Sequence, residues 1–284
     1  MNVEFTKMHG CGNDYVYING FRYEFEKDMK TQLAVRLSER HFGIGSDGLI
    51  FINPSPIADF EMEMYNADGS RAEMCGNGIR CVAKYVYDHH MTDKTQFTIE
   101  SFGKIKYITV KAEDGKMIEA TVDMGEPILK GEDVPVDTGV LKADAQGRVI
   151  ASPLKVLDRT FDVTCVSMGN PHAVVFTQTG DVEKYGPDFE VSPAFPRRVN
   201  TEFVNVTDRK NVDMRVWERG TGETLACGTG CCATAVACVL NGLTDDEITI
   251  HVLGGDIRVR WDRESNHVFM TGPAAVSFTG TVEI

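Results

Sequence analysis

One short motif occurs twice in this chain, and that duplication limits the architecture more than any other feature. Glu73-Met74-Cys75-Gly76-Asn77-Gly78 and Leu225-Ala226-Cys227-Gly228-Thr229-Gly230 both contain Cys-Gly-x-Gly, 152 positions apart, and each runs into a segment rich in Ala, Val and Cys. A second pair, Gly12-Asn13-Asp14-Tyr15-Val16 and Gly169-Asn170-Pro171-His172-Ala173, recurs in the same order 157 positions apart, each before an apolar, β-rich run. The two offsets nearly agree, and both slightly exceed half of the 284 residues. Duplication of a half-chain unit accounts for this. A solenoid does not, because its repeats are only about 20–50 residues long.

The local patterns follow the same order in both halves. In the first, strands are expected at 3–8 and 15–19, then a helix over 27–41 with Met29, Leu33 and Leu37 on one face. Strands follow at 49–52 and 60–65, the latter with Phe60, Met62 and Met64 inward and Glu61 and Glu63 outward. A helix after Cys75-Gly76-Asn77-Gly78, running to about His89, leads to strands near 95–100, 104–112 and 117–123. The second half reads as strands at 161–168 and 172–176, a short helix near 181–189, and strands at 202–207 and 211–217. The helix after Cys227 and strands at 246–252, 255–261 and 267–270 complete it. The Pro- and Gly-containing segment 124–153 is expected to hold the crossing between halves.

Composition removes several function classes. A formal charge of −13 argues against nucleic acid and against an anionic membrane surface as partners. The most apolar run, Cys231 to Leu240, is far short of the roughly 20 residues of a membrane helix. The start Met1-Asn2-Val3-Glu4-Phe5 has no basic or apolar leader pattern, so a cytoplasmic protein with reduced cysteines is expected. The eight cysteines include no Cys-x-x-Cys pair and there is no His-Glu-x-x-His, so no metal site is expected. Cys81, Cys165, Cys232 and Cys238 read as small buried hydrophobes.

Cys75 and Cys227 differ because each precedes Gly, a polar residue and a helical pattern, which puts each thiol at a helix N-terminus. The positive end of the helix dipole favours a thiolate, and the first-turn N–H groups form an anion site that Gly76 and Gly228 leave open to a carboxylate. One such site suggests a nucleophile with a His base nearby. Two related by internal symmetry, facing each other across a cleft, suggest a base on one side of a carbon and an acid on the other, as inversion of a stereocentre requires. A single copy could as well be merely a tightly packed helix start.

Met8-His9-Gly10-Cys11-Gly12-Asn13-Asp14, Asn66-Ala67-Asp68-Gly69-Ser70, Met74-Cys75-Gly76-Asn77-Gly78-Ile79-Arg80-Cys81, Ser167-Met168-Gly169-Asn170-Pro171-His172, Arg198-Val199-Asn200 and Glu218 through Gly230 together resemble the diaminopimelate epimerase family, from residue 1 to Thr271-Gly272. The resemblance implies a mixed α/β (α+β) fold of two pseudo-symmetric homologous domains, 1–123 plus a C-terminal strand at 274–284, and 124–273, with the active site in the interdomain cleft. It also implies interconversion of LL- and meso-diaminopimelate, a step in lysine and peptidoglycan precursor synthesis, with no cofactor and no metal, usually by a homodimer. Phe278 lies in a strand whose family counterpart tends to be at the dimer interface.

By the same resemblance, Cys75 and Cys227 match the catalytic thiols. Gly76 with Asn77, and Gly228 with Thr229, match the helix-start groups that hold the reacting carboxylate. Asn13, Asn66, Asn170, Asn200, Glu218 and Arg219 match substrate contacts, and His172 and Glu218 match positions that tune thiol protonation. The Arg219 fork suits a distal carboxylate and Glu218 an ammonium group. Gly48 departs from the Gln of some members, and Cys231 stands where Ala is common.

Gly43-Ile44-Gly45-Ser46-Asp47-Gly48 spells a dinucleotide-binding pattern, but it follows a helix and precedes a strand, the reverse of the required order. A proline or hydroxyproline racemase, the nearest enzymatic alternative, often carries His where this chain has Asn77. A non-catalytic ligand-binding module would not need two activated thiols, and a peroxidase-like redox protein would need one and a resolving cysteine.

Overall fold

The computed structural model describes residues 1–72 and 74–284; Glu73, which opens the first copy of the repeated motif, lies outside the described residues. The chain divides into two compact units, Met1–Val122 with Gly272–Ile284, and Asp123–Thr271.

The first unit runs β1 (Asn2–Gly10), β2 (Asn13–Asn19), α1 (Lys27–Ser38), β3 (Gly48–Asn53), β4 (Phe60–Asn66), β5 (Arg71–Ala72), α2 (Gly76–Asp88), β6 (Gln96–Ser101), β7 (Lys104–Glu113) and β8 (Lys116–Gly125). β1 and β2 pair antiparallel, α1 carries the chain over to β3 parallel to β2, and β4 returns antiparallel. α2 makes a second crossover, placing β6 parallel to β4, and β7 and β8 follow as antiparallel neighbours. Parallel neighbours require such a crossover connection, and helices supply both.

The second unit contains β9 (Ser152–Val156), β10 (Arg159–Ser167), β11 (Pro171–Phe176), α3 (Val182–Glu190), β12 (Asn200–Val206), β13 (Asn211–Glu218), β14 (Gly222–Thr224), α4 (Gly228–Leu240), β15 (Glu247–Val252), β16 (Gly255–Trp261) and β17 (Val268–Gly272). Its pairings from β10 to β17 reproduce those of β1 to β8 one for one, with parallel joins across α3 and α4. The last strand, β18 (Ala275–Glu283), returns to pair antiparallel with β1, as β9 pairs with β10. Every strand and α-helix of one unit therefore has a counterpart in the other, which lets the two sites be compared position by position.

Both site-bearing helices are held by burial. On α2, Ile79, Cys81, Val82, Ala83 and Val86 have no exposure, and the helix packs on β1 and β2. α4 is buried on nearly all sides, through Cys231, Cys232, Ala233, Ala235, Val236 and Cys238. Small side chains all round allow it to pack against β10, β11, β12, β15 and β16. Each fully buried Val or Ile contributes about 1.5–3 kcal/mol, so these helix starts do not depend on intrinsic helix propensity.

Two expectations, the end of α1 and the burial of Met29, are corrected. α1 ends at Ser38 rather than near residue 41, because the N–H groups of Ile44 and Gly45 fold back onto the Leu37 carbonyl. Gly43 permits this: a Cβ there would lie 2.3 Å from the Arg36 carbonyl oxygen. Leu33 and Leu37 are buried, but Met29 is 38% exposed. Within segment 124–153, Val134, Val136, Leu141 and Val149 pack with Phe161, Phe189 and Phe203 in the core of the second unit. On β4 the alternation is as expected, with Phe60, Met62 and Met64 buried and Glu61 and Glu63 on the other face, where cations engage them. Lys30 binds Glu63 at 2.6 Å, and Arg71 lies 3.2 Å from Glu63 and 3.6 Å from Glu61.

Candidate active site

Cys75 and Cys227 are the N-caps of α2 and α4, both with extended backbone (φ −135°, ψ 112° and φ −115°, ψ 111°). Each sulfur accepts the backbone N–H three residues on, Gly78 at 3.3 Å and Gly230 at 3.4 Å. A sulfur thus takes the place that a Ser or Asp oxygen usually fills, at the positive end of the helix. This geometry lowers the cost of a thiolate and directs first-turn N–H groups toward an anion.

In the first unit, Cys75 is half-buried and its thiol donates to Asn13 Oδ1 at 3.1 Å. Asn13 is fixed by its Nδ2 donating to Asp47 Oδ2 at 2.7 Å, and Arg40 donates to the other Asp47 oxygen at 2.8 Å. The Gly43–Gly48 loop, dismissed as a nucleotide site, therefore braces the residue that contacts the thiol. Lys7 ties it down further, by bonding the Gly45 carbonyl and pairing with Asp14. Burial pushes Asp14 up, but Lys7 and Arg40 outweigh it and hold its carboxyl below the usual range. Tyr15 lies beside the thiol; burial pushes its hydroxyl well above the ordinary value, with Cys75 and Asp47 adding to the effect.

The fully buried Arg80 organises the helix start. It donates to the Gly76 carbonyl at 3.0 Å and to Asn77 Oδ1 at 2.9 Å, while Asn77 Nδ2 faces Asn13 Oδ1 at 3.4 Å. Asn66, at the end of β4, donates to Ser70 Oγ at 2.9 Å. Register places Tyr15 opposite Gly48 and Gly48 opposite Asn66. A Cβ at Gly48 would lie 2.2 Å from the Tyr65 carbonyl oxygen and 2.8 Å from the Tyr15 ring, so this backbone admits no side chain.

The second unit repeats the frame with different chemistry. Cys227 is 6% exposed, and its sulfur lies 3.4 Å from Thr229 Oγ1. Burial pushes this thiol well above the ordinary value, and the charges of Glu218 and Glu202 add to the effect. Glu218 is itself pushed up by burial, against the opposing hydrogen bond from Thr224. His172 Nδ1 meets Glu202 Oε1 at 2.7 Å, and its Nε2 meets Asn170 Oδ1 at 3.0 Å. His172 pairs with Asn200 across the strands, and Thr201 pairs with Trp217, which brings Asn200 beside Glu218. The row His172, Asn200, Glu218 is thus the counterpart of Tyr15, Gly48, Asn66.

Asn200 is 4% exposed and works inside the protein: its Nδ2 donates to the Pro171 carbonyl and its Oδ1 accepts the Arg219 N–H, both at 2.9 Å. Arg219 is exposed, with Nη1 on the Arg197 carbonyl at 3.0 Å. Glu190 anchors this loop by accepting from Trp217 Nε1 at 2.9 Å, Gly220 N at 3.0 Å and Arg198 at 3.1 Å.

The sequence reading assigned no role to Tyr15, Asp47, Arg80, Glu190 or Glu202. Tyr15, Asp47 and Arg80 lay inside motifs already singled out; Glu190 and Glu202 carried no local signal beyond a charge amid apolar residues. Among the described residues, no three His, Cys, Asp or Glu are placed to hold a metal ion, and no helix is long and apolar enough to cross a membrane.

Proteins of known structure share this fold over the whole chain. A Bacillus anthracis phenazine biosynthesis protein of the PhzF family matches with a TM-score of 0.72 at 17% identity, covering all of both chains. A hydroxyproline epimerase from Agrobacterium vitis, solved with bound trans-4-hydroxy-L-proline, matches with a TM-score of 0.68 at 14% identity, over 99% of this chain and 91% of that one. At those identities the likeness shows the fold alone. Sequence relatives are nearer. Proteins named diaminopimelate epimerase from Agathobacter rectalis and Acetivibrio thermocellus are 55% and 51% identical, each over 99% of this chain and 100% and 99% of their own. One from Methanococcus maripaludis is 49% identical over 99% of this chain and 100% of its own. The family model described as diaminopimelate epimerase matches residues 5–130 and 164–277, a span that takes in both capping cysteines. The chain belongs to the diaminopimelate epimerase family.

Proposed function

We propose that this protein is a diaminopimelate epimerase, an isomerase that interconverts LL- and meso-2,6-diaminopimelate by proton transfer at one α-carbon. The observation that carries this reading is the pair of cysteine-capped helix starts, one per unit, in a chain of this family. Inversion needs a proton removed from one face and another delivered to the opposite face, so a single base is insufficient. Cys75 and Cys227 are the two groups assigned to this work. In either direction one of the two is the thiolate base and the other the protonated acid, and the roles exchange when the reaction runs in reverse. The reacting α-carboxylate is assigned to the first-turn N–H groups at Gly76-Asn77 and Gly228-Thr229, where the helix ends favour negative charge. This placement also stabilises charge that develops on that carboxylate as the α-proton leaves.

The distal amino acid group is assigned to Asn66, Asn170, Asn200, Glu218 and Arg219, by the resemblance of these positions to the family. His172 and Glu218 are the neighbours that tune Cys227. The proposed chemistry uses neither pyridoxal phosphate nor a metal, and the proposed setting is the cytoplasm, in lysine and peptidoglycan precursor synthesis, with the protein acting as a homodimer. Release of tritium from the α-position of diaminopimelate to water, measured after exhaustive chelation, tests the activity. Release at undiminished rate supports it. No release, or release that depends on an added divalent metal or pyridoxal phosphate, refutes it, and turnover of proline in its place favours the racemase alternative.

A further inference from the structure

The geometry points to Glu202 as a positioning residue that helps make the two thiol centres unequal, by setting a buried carboxylate beneath the start of α4 where the first unit has a methyl group. The inference rests on the epimerase reading only for its kinetic consequence. Glu202 has no exposure. One oxygen engages His172 Nδ1 at 2.7 Å, and the other is buried with no hydrogen-bond partner. A carboxylate oxygen left unsatisfied in the interior costs stability, so its presence requires an explanation.

Strand register supplies its counterpart. Val174 pairs with Glu202 in the second unit, and Tyr17 pairs with Ile50 in the first. The two side chains meet the same point on their helices. A Cβ built on Gly230 would lie 2.7 Å from Glu202 Oε1 and 3.3 Å from Cys227 Sγ, and one built on Gly78 would lie 2.9 Å from Ile50 Cδ1 and 3.5 Å from Cys75 Sγ. Oxygen and sulfur in the second unit are therefore no more than about 6 Å apart, within the range at which a like charge disfavours an anion. Gly230 is needed to make room for that oxygen.

The titratable groups that bear on this point are Cys165 on β10, His172 on β11, Glu202 on β12 and Glu218 on β13. Burial raises Cys165, Glu218 and Cys227, and the charge of Glu202 adds to each shift. Glu202 thus opposes the helix-start field and keeps Cys227 protonated, and it also orients His172 by accepting from Nδ1. It touches no reacting atom.

The test is the pH dependence of iodoacetamide alkylation, read separately at Cys75 and Cys227 by peptide mapping of the full chain. In the natural protein, the Cys227 midpoint should lie above that of Cys75; equal midpoints overturn the inference without any variant. In Glu202→Gln, which keeps the shape, and Glu202→Ile, which copies the first unit, the Cys227 midpoint should fall by about one pH unit while that of Cys75 stays put. The alkaline limb of turnover should shift down by the same amount, with KM changed less than about twofold, since substrate contacts are untouched. A Cys227 midpoint that does not move, or two midpoints that move together, overturns the inference. Loss of tritium release in a natural protein with unequal midpoints would instead refute the epimerase reading and leave the role of Glu202 standing.

Discussion

Replacing Arg80 with Met removes the group that locks the start of α2. The guanidinium is fully buried, with Nε donating to the Pro273 carbonyl at 3.2 Å, Nη1 to the Gly76 carbonyl at 3.0 Å and Nη2 to Asn77 Oδ1 at 2.9 Å. Its slot is walled by two glycines: a Cβ at Gly10 would lie 3.0 Å from Nη2, and one at Gly272 would lie 3.1 Å from Nε. Met fills much of the volume but donates nothing. The Gly76 carbonyl faces the next turn of the helix, while Asn77 Oδ1 and the Pro273 carbonyl lose a charged donor. At about 1–3 kcal/mol for each orphaned acceptor, the loss is about 3 kcal/mol. For a chain of this size that lowers the melting temperature by roughly 6–12 °C. Arg80→Lys should recover only part of it, because an ammonium cannot address three acceptors in a fixed fork. Calorimetry reads the stability, and the alkylation rate of Cys75 reads the helix start, which should become less uniform once Asn77 is released. Arg80→Met within about 0.5 kcal/mol of the natural protein would show that the guanidinium does not hold this helix start.

Three further outcomes follow. Gly48→Ala should destabilise by more than about 2 kcal/mol in urea titration, because its Cβ would meet the Tyr65 carbonyl 2.2 Å away; an unchanged midpoint would show that β3 and β4 can separate freely. Arg219→Lys should raise KM far more than it lowers kcat, because Lys keeps the charge but loses the bidentate fork, and an unchanged KM would remove Arg219 from the substrate contacts. Stability should fall steeply in alkali. Burial pushes Cys81 and Cys238 up to about 12, and Cys165 and Cys227 are raised as well. Each thiol stays neutral when folded but ionises near pH ~8.5 when unfolded, so its contribution is whole below that pH. It then falls by about 1.4 kcal/mol per pH unit as pH rises toward the folded value. Stability that is flat from pH 8 to 11 would contradict this.

The sites were legible in the sequence where a local rule determined the structure. Cys-Gly-x-Gly before a helical pattern announces a capping thiol, and the matching offsets announce two of them. Residues that act through long-range packing were not legible. Glu202 lies in Asn200-Thr201-Glu202-Phe203-Val204, where residues pointing to either side are buried, so alternation could not show which way a charge points. Arg80 reads as one more polar residue on a helix until Gly10 and Gly272, distant in sequence, are seen to make its slot. The end of α1 was misjudged because a glycine loop, rather than the helix's own sequence, satisfies its last carbonyls. The short β5 and β14 have too few residues to show a period.

The central claim is that two thiols serve opposite faces of one carbon, and the first turnover in deuterium oxide tests it most directly. LL-diaminopimelate converted by the natural protein should give meso product carrying deuterium at the inverted carbon, while LL substrate recovered at early times carries almost none. Cys75→Ala and Cys227→Ala should each abolish epimerisation, and their losses should not add, because the two residues act as a unit. Protium retained in the first product, extensive early label in the substrate pool, or substantial epimerisation by either variant would contradict the two-thiol account.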